Sequence, residues 1–128
     1  MSDRVVHFEI PFDDGDRARG FYRDVFGWEL MELPEMDYTM VTAGPSGDQG
    51  PTEPGYINGG MNSRSQSPSP SPVIVIDVPD IAAKCITITE AGGRVVSDRQ
   101  PVGDMGFAAY VEDPEGNVIG LWETAKPG

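Results

Sequence analysis

The sequence predicts an α+β fold made of two βαβββ modules, and three observations support this prediction. First, residues His7–Leu30 align without a gap on Val73–Val96, at an offset of 66 residues. Second, both segments show the same order of signals: a short apolar strand, a Pro and an Asp, a helical stretch, a Gly and a second strand. Third, the later strands of each copy are joined by loops too short for helical crossovers. A repeat of this size indicates two copies of one supersecondary unit, neither of which buries a core alone.

The first module is predicted to span residues 5–61. Its first strand, Val5–Ile10, alternates and contains β-branched residues. The helix that follows has three acidic candidates for its N-terminal cap (Asp13, Asp14 and Asp16) and an apolar stripe at helical spacing: Ala18, Phe21, Tyr22, Val25 and Phe26. Gly27 is placed to end this helix. The remaining strands are predicted at Trp28–Leu33, Tyr38–Ala43 and near Tyr56–Met61, with a Gly- and Pro-rich loop at Gly44–Gly55.

Residues 62–72 (NSRSQSPSPSP) form a low-complexity segment that divides the two copies. Its prolines favour an extended chain, and its composition does not support a packed core, so a linker is predicted within one 128-residue domain.

The second module is predicted to span residues 73–123. Its helix begins at Pro79-Asp80 and runs to about Ala91, although four consecutive β-branched residues disfavour a helix there. The alignment of the two copies is what favours the helix. The strands are predicted at Val73–Val78, Arg94–Ser97, Phe107–Glu112 and Asn117–Trp122, with a tight turn at Asp113–Gly116.

The chain carries a formal net charge of −12. This charge excludes nucleic acid and anionic membranes as expected partners, because phosphate binding requires Lys and Arg. It suits a cationic small molecule, or else a solvated acidic surface. Cys85 is the sole cysteine, so a cytoplasmic location is expected. Its position on the second helix indicates a small buried hydrophobe more than a nucleophile.

Three segments have a recognisable pattern: FYRDVFGWEL at the end of the first helix, GYINGGM before the linker and EDPEGNVIGLWE near the C-terminus. They resemble the vicinal oxygen chelate superfamily, which contains glyoxalase I, bleomycin-resistance proteins and extradiol dioxygenases. The resemblance covers about Val5–Glu123. It implies that the two modules form a curled, cup-shaped mixed sheet with the helices outside, and that the protein is a homodimer.

Metal-dependent members of this family place one ligand on the first and one on the fourth strand of each module, typically His, Glu or Gln. Of the corresponding positions here, only His7 carries such a side chain. The others fall on Asn58-Gly59-Gly60, Val73 and Gly120. Glu123 lies three residues beyond Gly120, so it should face the opposite side of its strand. We therefore expect no catalytic metal, with a divalent ion at His7 and Glu9 as the alternative.

The family resemblance also suggests which residues line the cup. The candidates for ligand binding are His7, Glu9, Trp28, Met40, Asn58, Met61, Met105, Phe107, Ala109, Tyr110 and Trp122. Most are aromatic residues or Met, which suit a flat or irregular organic ligand, although such residues in strands also form cores. His7 and Glu9 are the candidate acid–base pair, and a carboxylate beside the imidazole predicts a raised pKa for His7. The loop Pro101–Gly106 is either a lid or an ordinary turn.

The function expected from these observations is binding of a small organic molecule, cationic or aromatic, without a catalytic metal. Two alternatives remain open at this point. One is a metal-dependent lyase, isomerase or dioxygenase that uses His7. The other is an accessory subunit whose cup is filled by its own side chains.

Overall fold

The computed structural model describes residues 3–126, which divide into two compact units. One unit comprises residues 7–72, and the other comprises residues 73–126 together with residues 3–6. The elements, in chain order, are β1 (Val5–Phe12), α1 (Gly15–Phe26), β2 (Glu29–Leu33), β3 (Tyr38–Thr42), β4 (Ser46–Gly47), β5 (Gly50–Pro51), β6 (Asn58–Ser63), β7 (Val73–Asp77), α2 (Ile81–Glu90), β8 (Arg94–Val102), β9 (Gly106–Glu112) and β10 (Val118–Thr124). Short 3₁₀ turns occupy Pro34–Met36 and Arg64–Gln66. The predicted α+β class and its two βαβββ modules are confirmed.

Both modules have the same strand order. It is β2-β3-β6-β1 in module one and β8-β9-β10-β7 in module two. In each module the first strand lies parallel to the last, and the other neighbours are antiparallel. The minor hairpin β4–β5 is inserted before the last strand of module one. Identical topology in the two copies is what an internal repeat predicts.

Helix α1 begins and ends where the sequence predicts. The Asp14 side chain accepts a hydrogen bond from the Arg17 N–H, and Gly27 ends the helix in the left-handed conformation with φ 71°. No residue of α1 is buried, although its apolar residues follow helical spacing, and Phe21, Val25 and Phe26 are more than half exposed.

Polar and cation–π contacts of Arg19 connect α1 to its sheet. Its guanidinium donates to Thr39 Oγ1 at 3.1 Å and lies 2.6 Å from a Glu32 carboxylate oxygen. It also lies over the Phe12 ring. These contacts place Thr39, Glu32 and Phe12 on the side of the module-one sheet that faces α1.

Helix α2 forms despite its β-branched residues. Asp80 caps its first turn by accepting from the Ala83 N–H. The Thr87 and Thr89 hydroxyls donate to carbonyl oxygens four residues earlier, which satisfies these polar groups within the helix. Cys85 packs against the module-two core. Burial raises the pKa of its thiol, and the negative charge of the nearby Asp98 raises it further.

The core of module two lies between α2 and its sheet, and Glu123 is the buried carboxylate at its edge. The core consists of Val78, Ile81, Ala109, Val111 and Leu121. Glu123 accepts from the buried Ile81 N–H at 2.9 Å and forms a two-point pair with Arg99, whose guanidinium lies 3.5 Å from the Phe107 ring centre. The Arg99 and Ile81 hydrogen bonds hold the pKa of Glu123 below its usual value.

Several strand boundaries differ from the prediction. Strand β6 continues to Ser63, so the first two residues assigned to the linker belong to the sheet. Strand β8 is longer than predicted because irregularities between Val95 and Gln100 let it continue pairing with β9. The segment Pro101–Gly106 contains the tight turn between β8 and β9, where the Met105 N–H bonds the Val102 carbonyl.

The turn Asp113–Gly116 is confirmed, and Asp113 organises it. Its carboxylate accepts from the backbone N–H groups of Glu115 and Asn117 and from the Asn117 side chain, which lowers its pKa. Gly116 takes the positive φ of 85° that the turn requires.

Within residues 3–126, neither helix has the length and apolar character needed to cross a membrane.

We expect Glu123→Ala to destabilise the protein by about 1–3 kcal/mol, because the buried Ile81 N–H loses its acceptor. Glu123→Gln is the matched control, since its amide oxygen can still accept from Ile81, and it should cost less. Urea unfolding at neutral pH measures both. Equal losses for the two variants would show that the Ile81 hydrogen bond is not the important contact.

Candidate functional site

Strand pairing in module one identifies the residues that share a face with His7. On β1, His7 and Glu9 point away from α1, because Phe8 between them contacts Trp28, which stacks on Tyr22 of the helix. Cα partners in adjacent strands share a face. The face that carries His7 therefore also carries Asn58, Gly60, Asn62, Tyr38, Met40, Met31 and Leu33. We call this surface the His7 face.

The centre of the His7 face is a polar cluster of three side chains. Tyr38 Oη lies 2.9 Å from His7 Nε2 and 3.5 Å from Glu9 Oε2. The first distance is that of a good hydrogen bond and the second is long, so the tyrosine–histidine contact is the stronger. Glu9 is 9% exposed. The cluster can accept and donate protons at a surface that is partly shielded from water.

Burial, and not Glu9, sets the protonation of His7. Desolvation disfavours the charged imidazolium and lowers the pKa of His7 below its ordinary value. The expectation of a raised pKa is therefore wrong. The imidazole is neutral at physiological pH and presents one donor and one acceptor.

Tyr38 occupies the space in which a fourth-strand side chain would project. A Cβ placed on Gly60 would collide with the hydroxyl and ring of Tyr38. Asn58, the other residue of this segment on the His7 face, is already engaged by the β4–β5 hairpin, since its side chain bonds the Ala43 N–H and Ser46 Oγ. The fourth strand thus supplies no additional charged or imidazole donor beside His7.

Module two also has a tyrosine beside a glycine of its last strand. Gly120 is the Cα partner of Tyr110 on β9 and of Val75 on β7. A Cβ at Gly120 would lie 3.3 Å from the Tyr110 ring and 2.9 Å from a Val75 methyl group. Tyr110 and Trp122 share this face, and the Trp122 ring lies against Gly106.

Four of the candidate lining residues do not share the face predicted for them. Phe107 and Ala109 belong to the core beneath α2, because they pair with Glu123 and Leu121 on the side opposite Trp122. Met61 is fully buried on the α1 side of its sheet, where it pairs with Ile10 and Thr39. Trp28 stacks on Tyr22 at 5.1 Å and so also lies on the helix side. His7, Glu9, Met40 and Asn58 do share one face, and Met105 is exposed on the turn after β8.

Tyr38 and Asn62 were missed by the sequence analysis. Period-two alternation on β3 places Tyr38 on the same face as Met40, so this signal was present in the sequence. Asn62 was assigned to the linker, and that boundary error hid it.

The residues present do not fit the metal site of the family. Among residues 3–126 no group of three or more His, Cys, Asp and Glu side chains is placed to hold a metal ion. In module two, Val73 is buried and Gly120 has no side chain. In module one, Tyr38 fills the space beside His7. A phenol hydrogen-bonded to a neutral imidazole is not a donor set that a divalent cation prefers.

Module two contains a crevice of about 310 Å³ on the helix side of its sheet. Its lining includes Ile76, Ile88, Val111 and Leu121 of the α2 core and its surroundings, with the Lys84–Asp3 ion pair at its edge. None of the predicted ligand-binding residues lines it.

The fold described above is that of proteins of the glyoxalase/bleomycin-resistance type. The comparisons with known proteins agree. The family described as bleomycin resistance protein-like N-terminal matches residues 4–44. A lactoylglutathione lyase from Haemophilus influenzae is 31% identical over 91% of this chain and 89% of its own length. Another, from Salmonella typhimurium, is 32% identical over 98% and 96%.

Solved structures show the same fold. A hypothetical protein from Bacillus halodurans matches with a TM-score of 0.67 at 15% identity, covering 100% of this chain and 99% of its own. A glyoxalase/bleomycin resistance protein/dioxygenase superfamily member from Vibrio splendidus matches with a TM-score of 0.63 at 16% identity, covering 96% and 99%. The chain belongs to the vicinal oxygen chelate superfamily.

We expect the pKa of His7 to lie below 6.5 in the folded protein. The histidine is the sole one in the chain, so its ring C–H signals in an NMR pH titration report it without ambiguity. Because the unfolded state takes up the proton first, stability should fall as pH decreases from about 6.5 towards the folded pKa. Replacing His7 by Gln should reduce that decline, whereas a titration midpoint above 6.5 would show that Glu9 outweighs burial.

We expect Gly60→Ala to destabilise the protein by about 1–3 kcal/mol, because its methyl group collides with Tyr38. Gly47→Ala is the control, since a Cβ there meets only an ordinary contact with Thr52, and it should change stability by less than about 0.5 kcal/mol. A double-mutant cycle with Tyr38→Ala should recover part of the loss. Additive effects in urea unfolding would contradict the packing of Tyr38 over Gly60.

Proposed function

We propose that this protein binds a small organic molecule on the His7 face and does so without a catalytic metal. The observation that supports this proposal most is the position of Tyr38, whose hydroxyl bonds His7 Nε2 and whose ring covers Gly60. His7 stands at the first-strand position that metal-dependent members of the superfamily use for metal binding. Here its Nε2 already has a hydrogen-bond partner within the protein, the Tyr38 hydroxyl.

The surroundings of the cluster suit an organic ligand. Met31 and Met40 are Cα partners on this face, with exposed fractions of 63% and 39%, and Leu33 pairs with Tyr38. Thioether side chains adapt to irregular apolar shapes and contact aromatic rings favourably. The proposed ligand has an apolar or aromatic body over the methionines and a polar group at the cluster of Tyr38, His7 and Glu9.

We further propose that the protein acts in the cytoplasm as a homodimer and does not bind nucleic acid or membranes. The net charge of −12 supports the exclusion of polyanionic partners. The homodimer rests on membership of the superfamily.

A second candidate is a metal-dependent lyase of the lactoylglutathione lyase type. The identity of 31–32% over most of the chain to proteins with that name favours it. Against it stand Val73 and Gly120 at two of the four ligand positions, and Gly60, covered by Tyr38, in the segment that holds a third. A dioxygenase or isomerase with a metal at His7 meets the same difficulty.

A ligand screen in the presence of a metal chelator tests the proposal. Thermal-shift hits from a library of small aromatic and cationic compounds should persist in the chelator. Tyr38→Ala should lower the affinity of these ligands at least tenfold, because it removes the central side chain of the polar cluster. Met40→Glu should lower it by a similar factor, because it places a charge on the apolar surface beside the cluster. Ile86→Ser is the control, since Ile86 is exposed on α2 of module two, and it should leave affinity unchanged.

A parallel assay separates the second candidate. The protein should show no lactoylglutathione lyase activity above background after incubation with Ni²⁺, Zn²⁺, Fe²⁺ or Mn²⁺. Metal-dependent activity that is lost in His7→Ala, together with the absence of chelator-resistant ligands, would overturn the proposed function.

A further inference from the structure

Asn62 carries an unexplained polar atom. Its Oδ1 is buried and has no hydrogen-bond partner within the described residues 3–126. Buried acceptors are rarely left unpaired, because each costs part of its hydration free energy. An external group that donates a hydrogen bond would account for this atom.

Neither the strand neighbours of Asn62 nor Arg64 donates a hydrogen bond to that oxygen. Its Cα partners are Pro11 on β1 and Tyr38 on β3. Proline has no backbone N–H. Arg64, the cation nearest in sequence, is engaged elsewhere, since it pairs with Asp13 at 2.7 Å and donates to the Pro70 carbonyl.

A second acceptor group, the Glu9 carboxylate, lies close by on the same face. Glu9 precedes Pro11 by two residues and therefore points the same way. With neighbouring strands about 4.8 Å apart and about 3.3 Å per residue, the backbone positions of Glu9 and Asn62 are about 8 Å apart. A small group between the two side chains can contact both. The Glu9 carboxylate and the Asn62 amide oxygen are therefore two hydrogen-bond acceptor groups on the same face, near the Tyr38 hydroxyl.

We propose that the His7 face selects ligands that carry a protonated amine, held by Asn62 Oδ1 and the Glu9 carboxylate. This inference rests on the proposed function, because it names the class of ligand for the same surface. An ammonium group offers three donors and a positive charge, which match one unpaired acceptor and one buried carboxylate. The apolar body of the ligand lies over Met40 and Met31. The net charge of −12 attracts such a cation to the protein from solution.

The test uses three probes of similar shape: phenethylamine, 2-phenylethanol and 3-phenylpropionate. Each is titrated into the full chain at pH 7, and binding is followed by the ring C–H signals of His7, which lies within the same face. The amine is expected to bind at least tenfold tighter than the alcohol, and the propionate is expected to bind weakest.

Two substitutions at Asn62 should change amine affinity in opposite directions. Asn62→Leu removes the acceptor and should weaken the amine at least fivefold with little effect on the alcohol. Asn62→Asp adds a charge and should strengthen the amine several-fold. Glu9→Gln should weaken it, whereas Glu35→Gln, which removes an exposed charge from the 3₁₀ turn after β2, is the control and should not. Thermal unfolding of every variant confirms that it is folded.

The possible failures are distinguishable. If the amine and the alcohol bind equally and both Asn62 variants bind the amine like the parent, the amine inference is overturned while ligand binding on the His7 face stands. Such a result would also indicate that a water molecule satisfies Asn62. If none of the probes shifts the His7 signals and the chelator-resistant screen is also empty, both the inference and the proposed function are overturned.

Discussion

The packing of Tyr38 over Gly60 is the constraint on which the character of the His7 face depends. Because Gly60 has no side chain, the phenol reaches across from β3 and places its hydroxyl beside His7 Nε2. The same packing makes any larger residue at position 60 destabilising. The contact between Tyr38 and Gly60 thus leaves little room for a metal-binding side chain at position 60, and it provides His7 with a hydrogen-bond partner.

In module two a tyrosine ring also packs beside a glycine of the last strand. Tyr110 lies opposite Gly120, and Val75 closes the other side of that glycine. An aromatic ring packed on a glycine of a neighbouring strand compensates for the missing side-chain contacts there. The two tyrosines stand at different register positions, because the Cα partner of Gly60 on β3 is Met40 whereas that of Gly120 on β9 is Tyr110. In both modules a tyrosine ring lies beside a glycine of the last strand, in the segments where the family resemblance implies a ligand position.

Much of this fold was predictable from local signals. The Asp caps of both helices, Gly27 at the end of α1 and the Asp113 turn follow from short-range hydrogen bonding, which sequence displays directly. The face assignments were less predictable. Phe107 and Trp122 both look like lining residues in the sequence, yet the register of β9 against β10 puts them on opposite sides. Register depends on contacts between strands that are distant in sequence, and composition does not reveal it.

The site was predicted only in part, for a related reason. His7 and Glu9 were found because they stand two apart on one strand. The role of Tyr38 depends on a contact across 31 residues, and the low pKa of His7 depends on burial, which outweighs the neighbouring carboxylate. Asn62 was concealed because the Ser/Pro composition of the following residues suggested that the strand ends earlier than it does.

The proposed function requires the His7 face to be an organic binding surface and not a metal site. Calorimetric titration of the chelator-treated protein with Ni²⁺ and Zn²⁺ tests this requirement most directly, with metal per chain measured afterwards by mass spectrometry. We predict no stoichiometric binding at micromolar concentration and no difference between the parent and His7→Ala. One tightly held metal per chain, lost in His7→Ala, would contradict it.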